Sequence, residues 1–154
     1  MLISVTSAGI INNPKNNARF ILIESALRDE GTSYHYIPPE KPARIHEHLF
    51  SGLSPLFGRE ELSLRPGMSW TTDAPYRETE CAIRAAKEKG VISVEMEASA
   101  LYAFAIARKK DVVCYAHLTN TMAQHGTDFE KGAENGSIDS LNLIHNTIIQ
   151  IIKK

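Results

Sequence analysis

Apolar residues along the chain fall into short blocks separated by turn-forming clusters, and the spacing inside each block sets the element it predicts. Leu2–Thr6 (LISVT) reads as a strand, ended by the small residues Ser7, Ala8 and Gly9, which allow a tight loop and a close backbone approach. NNPKNN at 12–17 is a turn, and Phe20–Ile23 (FILI) is a continuous apolar run of the kind found in strands covered on both faces. Between Gly31 and Pro55 the prolines, glycines and hydroxyl residues predict an irregular excursion over the surface, with one short helix at HEHLF. Ile83 and Ala86 among charges predict an amphipathic helix over 79–89, closed by Gly90 as a left-handed cap. Val91–Val94 is a buried strand, Glu97–Arg108 an Ala-rich helix, and Val112–Leu118 a further strand. Ser137 is the expected N-cap of a last helix whose Ile138, Leu141, Ile144, Ile148 and Ile151 recur at three and four residues and should pack on the sheet. Strands alternating with helices imply an α/β sheet with parallel strands and helices on its faces, in a single domain over residues 1–154.

Composition narrows the function classes. Lys plus Arg (17) nearly balance Asp plus Glu (18), and hydrophobic residues make up 43% of 154, enough for one globular core. The absence of a basic block removes the electrostatic footprint of a nucleic-acid partner. The longest apolar stretches fall far short of the roughly 20 residues that span a bilayer, and MLISVTSAG lacks the form of a signal peptide, so the expected location is the cytoplasm without membrane contact. Cys81 and Cys114 have no C-x-x-C spacing and read as reduced packing residues. His46 and His48 are two apart, His35 lies in SYHY, and His117 and His125 surround Asn120; none has helix-type metal spacing with an acid partner, so no metal is expected.

Chemistry concentrates in two segments. In VEMEASALYAFA, Glu95, Met96 and Glu97 sit where a strand gives way to a helix, the end of an open α/β sheet at which ligands bind. A carboxylate there can accept hydrogen bonds from two neighbouring hydroxyls, as in a ribose diol, and a methionine can cover the apolar face of the sugar. The same residues also suit a plain helix start, where Glu97 favours the dipole and Met96 packs in the core. In GMSWTTDAPYRETE, Thr71, Thr72 and Asp73 follow a strand, while Pro75 and Tyr76 could wall a pocket in which the ring stacks on a base. The alternative there is a turn with Asp73 or Thr79 capping the next helix.

TSAGI, ALRDEGTSYHYIPPEKPA, TTDAPYRET, GVISVEMEASALYAFA and HLTNTMAQHGTDFEKG follow one another in the order of one family, and over nearly the whole chain the sequence resembles the nucleoside phosphorylases of the uridine phosphorylase type. The resemblance implies a phosphorylase/hydrolase-like three-layer α/β sandwich with a central mixed sheet, here lacking the N-terminal part of the family's domain. It implies a pentosyltransferase of nucleotide salvage that cleaves a nucleoside with phosphate to free base and ribose 1-phosphate, phosphate being a co-substrate and no cofactor being needed. Glu97 matches the carboxylate that holds the ribose hydroxyls, Met96 the sugar-packing methionine and Glu95 the other acid of the motif. Ser7 falls at a hydroxyl position near phosphate, Ala8 and Gly9 line the base side, and Thr72 to Tyr76, with Pro75 between, flank the base.

The sequence also departs from that family. Its phosphate-facing strand arginine falls at about Ser4, and the residues that read uracil fall at about Thr79 and Cys81. Where purine-specific relatives place an aspartate that protonates the base stands Asn120, which can hydrogen-bond a base but cannot act as an acid. The base therefore stays open, and two alternatives stand beside phosphorolysis: a nucleosidase that uses water, and an inactive remnant that binds nucleosides or partner subunits. A sheet without its first strands would expose an edge and uncovered helix faces, so the chain is expected to form homo-oligomers or to be poorly soluble. Light scattering at micromolar concentration checks this, a compact monomer being the contrary result.

Overall fold

A computed structural model of the chain describes residues 1–14, 17–39, 41–121 and 133–153. Six strands form one sheet: β1 (Leu2–Ile10), β2 (Phe20–Asp29), β3 (Ala43–Arg44), β4 (Leu64–Thr72), β5 (Val91–Glu95) and β6 (Val112–Thr121). Four α-helices accompany them: α1 (Glu47–Leu53), α2 (Glu80–Glu88), α3 (Ala98–Arg108) and α4 (Ser137–Ile152). The strand order is β3-β2-β4-β5-β1-β6, and β6 also pairs with β2, so that five of the strands close on themselves.

The sheet is mixed, as the resemblance implied, and not parallel throughout, as the alternation of strands and helices implied. β4 runs parallel to β2 and to β5, and β6 parallel to β1, whereas β1/β5, β2/β6 and β2/β3 are antiparallel. The helix α2 crosses over between parallel neighbours, but α3 carries the chain from β5 past β1 to its far side. The contact of β1 with β5 is confined to Gly9 and Ile10. For that reason the small residues after Thr6 do not end the first strand. They continue it to Ile10 with a register shift between Ala8 and Gly9, because their backbone still pairs with β6.

β2 has three neighbours, and its FILI run is buried on both faces as the unbroken apolar pattern requires. Gly67 of β4 is held by space: a Cβ there would lie 2.5 Å from Ile92 Cδ1 and 3.2 Å from Ile21 Cγ2. Gly90, at φ 77°, ends the α2 segment as its sequence position predicts, and the Thr79 side chain caps the start of α2 by accepting from the Ala82 amide. The Ala-rich α3 lays Ala98, Ser99, Tyr102, Ala103 and Ala105 on the sheet.

Four readings are corrected. The punctuated 31–55 stretch is not merely an excursion: its helix α1 starts with His46 as N-cap and buries Leu49 and Leu53 in the main core. On α4 the buried positions are Leu143 and Thr147, whereas Ile138 and Leu141 of the anticipated stripe are 62% and 66% exposed. Tyr115 sets this rotation by exchanging a 2.7 Å hydrogen bond with the Thr147 hydroxyl, so a polar position takes the inward face. The N-cap of α4 is Gly136, and the Ser137 hydroxyl instead donates to the Glu134 carbonyl. Cys114 packs in the core, where burial pushes its thiol far up, but Cys81 is exposed on α2 and belongs to neither core cluster.

Tyr102 fastens α3 to the sheet. Its hydroxyl donates to the Ile23 carbonyl at 2.5 Å and accepts from the Cys114 amide at 3.1 Å, inside the core. Removing it strands two buried backbone groups, so Tyr102→Phe is expected to lower stability by about 2 kcal/mol, read as a lower urea midpoint with an unchanged slope.

Candidate functional site

The pairing register gathers the segments singled out from sequence at one end of the sheet. Thr71 lies beside Glu95, so β4 and β5 finish together. β1 passes the other flank of β5 in the opposite sense, which puts Thr6 and Ser7 alongside the residues that follow Glu95. Asn120 pairs through its backbone with Gly9 one strand further on, and its side chain lies outside the described residues, as do His125 and most of the TMAQHGTDFEKG segment.

Glu95 lies beneath this end, 3% exposed. Its Oε1 accepts from the hydroxyls of Ser69 (3.1 Å) and Thr71 (2.5 Å), and its Oε2 accepts from the amides of Glu97 (2.8 Å) and Ala98 (2.7 Å). Thr71 Oγ1 accepts in turn from the Ser99 amide. Strand side chains thus hold the first amides of α3, which a helix by itself leaves without partners. The network continues from the Ser99 hydroxyl to Glu30 at 2.7 Å, and the other oxygen of Glu30 accepts from the Ser33 amide. The two acids titrate in opposite directions. Burial raises Glu95 above the ordinary carboxylate range although its four donors pull the other way, whereas at Glu30 the hydrogen bonds from Ser33 and Ser99 outweigh burial and lower it.

Glu97 is the carboxylate on the surface. It occupies the N-cap position of α3 without capping it, and the Thr6 hydroxyl donates to its Oε2 at 3.0 Å. Its Oε1 accepts no hydrogen bond, and the group forms no ion pair, among the described residues. Beside it Met96 and Ser7 are exposed, while Ala8 and Gly9 are buried under them. On the β4 side Thr72 is buried with its Oγ1 accepting from the Ala74 amide, Asp73 accepts from the Gly31 amide, and the Pro75–Arg77 turn lifts Tyr76 into solvent, 97% exposed.

The residues anticipated for a ligand therefore separate into two levels. Ser7, Met96, Glu97, Pro75 and Tyr76 are presented outward, while Ala8, Gly9, Thr72 and Glu95 support them from below. Thr6, Ser69, Thr71, Ser99 and Glu30 were not singled out for these contacts. A signal for part of the set exists: Ser69 with Thr71, and Ser93 with Glu95, are polar pairs two apart in otherwise apolar strands, hence on one face of each.

The profile of the phosphorylase superfamily matches residues 1–149, and the chain belongs to that family, which includes the nucleoside phosphorylases. A 67-residue segment is 36% identical to the DeoD-type purine nucleoside phosphorylase of Mycoplasma genitalium, covering 44% of this chain and 28% of that protein. Among solved structures, the fold matches the P. knowlesi homologue of P. falciparum PNP with a TM-score of 0.77 at 17% identity, over 98% of this chain and 62% of that one. It matches the AMP nucleosidase of Bacteroides thetaiotaomicron with a TM-score of 0.65 at 19% identity, over 94% and 63%. The chain thus spans less than two thirds of either solved chain. None of its helices, among the described residues, is long and apolar enough to cross a membrane.

A glutamine at position 95 has the size of the native side chain but presents N–H groups to neighbours that are already donors. Glu95→Gln is expected to destabilise by roughly 1–3 kcal/mol. The raised native value fixes the sign with pH: the native state holds the Glu95 proton more tightly than the unfolded chain, so stability from this group is full below the ordinary glutamate value of 4.5 and falls as pH rises through the native value. Urea midpoints of both proteins against pH should therefore converge as pH rises above 4.5.

Proposed function

We propose that this chain forms the ribose-binding part of a nucleoside-cleaving active site, with phosphate as the acceptor of the pentosyl group. The observation that carries the reading is Glu97: an exposed carboxylate at the sheet end with one oxygen beside the Thr6 hydroxyl and the other without a hydrogen bond among the described residues. Such a group takes the two hydroxyls of a ribose diol, while Met96 covers the sugar and the Tyr76 ring can stack on a base. Glu95 serves in this reading as the support that keeps Glu97 and the start of α3 in place. Ser7 stands where a phosphate hydroxyl contact is needed, and Asn120 on the strand that borders the base.

In the reaction an oxygen of phosphate forms a bond to the anomeric carbon as the bond from that carbon to the base nitrogen breaks, its electron pair leaving with the base. The sugar passes through an oxocarbenium-like state, so fixing its hydroxyls while positive charge develops is where Glu97 contributes to rate. A base held as an anion needs donors or a proton, and Asn120 can supply only hydrogen bonds.

One observation favours water as the alternative nucleophile. Glu97 has no cation paired with it among the described residues, and Ser4 stands at the phosphate-facing strand position. An anionic co-substrate then needs cations from another segment or subunit.

Incubating the protein with uridine, thymidine, inosine and adenosine, with and without phosphate, and separating the products discriminates these readings. Phosphate-dependent release of base with ribose 1-phosphate is the expected result; free ribose would assign the nucleosidase reaction, and no release from folded protein the inactive remnant. Glu97→Gln should lower kcat/KM by about 100-fold or more, and unchanged activity would remove Glu97 from the ribose site.

A further inference from the structure

At the opposite end of β6 from Asn120 the fold assembles a second group of functional side chains. His46 and His48 lie two apart where the chain enters α1, and their spacing by itself gives no metal pattern. Asp111, more than sixty residues later, immediately precedes β6, and its carbonyl accepts from the Leu2 amide at the start of β1. Its side chain reaches both histidines: Oδ1 is 3.0 Å from His48 Nε2 and 3.8 Å from His46 Nδ1. The two rings are 5.7 Å apart, and the three possible ligand atoms all fall within 4.8 Å of one another.

We propose that His46, His48 and Asp111 form a binding site for a divalent late transition metal, with zinc as the best-suited ion. Metal–ligand bonds of about 2.0–2.2 Å in tetrahedral geometry separate neighbouring donor atoms by roughly 3.3 Å, and the two contacts to Asp111 bracket that value. Closing the third side requires only small side-chain rotations, which the surface position of all three residues allows. Two imidazole nitrogens with one carboxylate select zinc, copper, nickel or iron, whereas magnesium and calcium favour sets made of oxygen. Three protein ligands leave one position for water or for a further group.

Such an ion would join the start of α1 to the starts of β1 and β6, elements that are distant in sequence. Thr6, which bonds Glu97, pairs with Ala116, five residues along from Asp111, so the ion would lie on the order of 17 Å along the strands from Glu97 and take no direct part in nucleoside chemistry.

Calorimetric titration of the full chain with zinc chloride, together with the visible absorption of the cobalt(II) form, tests the site. Saturable binding of one ion per chain in the micromolar range is expected, with a four-coordinate cobalt spectrum and a zinc-dependent rise in Tm. His48→Ala and Asp111→Asn should each weaken binding by at least about tenfold and abolish the Tm shift, while the exposed His35→Ala and His145→Ala, and the active-site variant Glu97→Gln, should bind as the parent does. Circular dichroism of each variant establishes that it is folded. Absence of saturable binding up to millimolar zinc, or binding that His48→Ala and Asp111→Asn leave intact, would overturn the assignment and reduce the cluster to a histidine–carboxylate ion pair.

Discussion

A carboxylate that is buried must be surrounded by donors, and the arrangement of this protein's site follows from how that requirement is met at Glu95. Four hydrogen bonds reach its two oxygens, from two side chains of β4 and two amides at the start of α3. The same bonds that solvate the acid therefore lock the β4 end, the β5 end and the α3 start into one rigid corner. Glu97 is displayed on that corner, its position fixed by an amide that Glu95 already holds. Two acids separated by a methionine thus differ by environment, the first buried and fully hydrogen-bonded, the second exposed.

The corner stands on a sheet that closes upon itself. Because β6 pairs with both β1 and β2, the strands on either side of the site are tied to a common neighbour, and Tyr102 adds a bond from α3 to backbone groups of β2 and β6. Closure also explains why β1 continues past its small residues. Ala8 and Gly9 are the point where the strand shifts register, and residues without bulk let it pass the end of β5 closely. The outer helices are less completely covered. On α4 Ile138, Leu141 and Ile152 are largely open to solvent, and Ile148 and Ile149 are partly so.

Much of this was legible along the chain. Runs such as FILI and VVCYAHL declared buried strands, ECAIRAAKE with Thr79 before it and Gly90 after it declared a capped amphipathic helix, and VISVEMEASALYAFA declared a strand that gives way to an Ala-rich helix. Local signals of this kind act within a few residues, where period, caps and turn residues are decisive. They determined the kinds of elements, their approximate bounds and the membership of the phosphorylase superfamily.

What only the tertiary structure decided is which neighbours each element met. Period and propensity carry no information on whether β1 borders β5 or β6, so the sheet proved mixed and closed. The stripe of α4 was misplaced because a hydroxyl partner, Tyr115, drew the polar Thr147 inward against the apolar pattern. Glu95 and Glu97 are both glutamates at the same strand end, and only long-range donors, Ser69 and Thr71 on another strand, bury one and leave the other exposed. His46 and His48 likewise had no visible acid partner until the fold carried Asp111 to them. Chemistry that depends on residues distant in sequence is decided by packing, since the free energy that selects a partner is gained only when the elements meet.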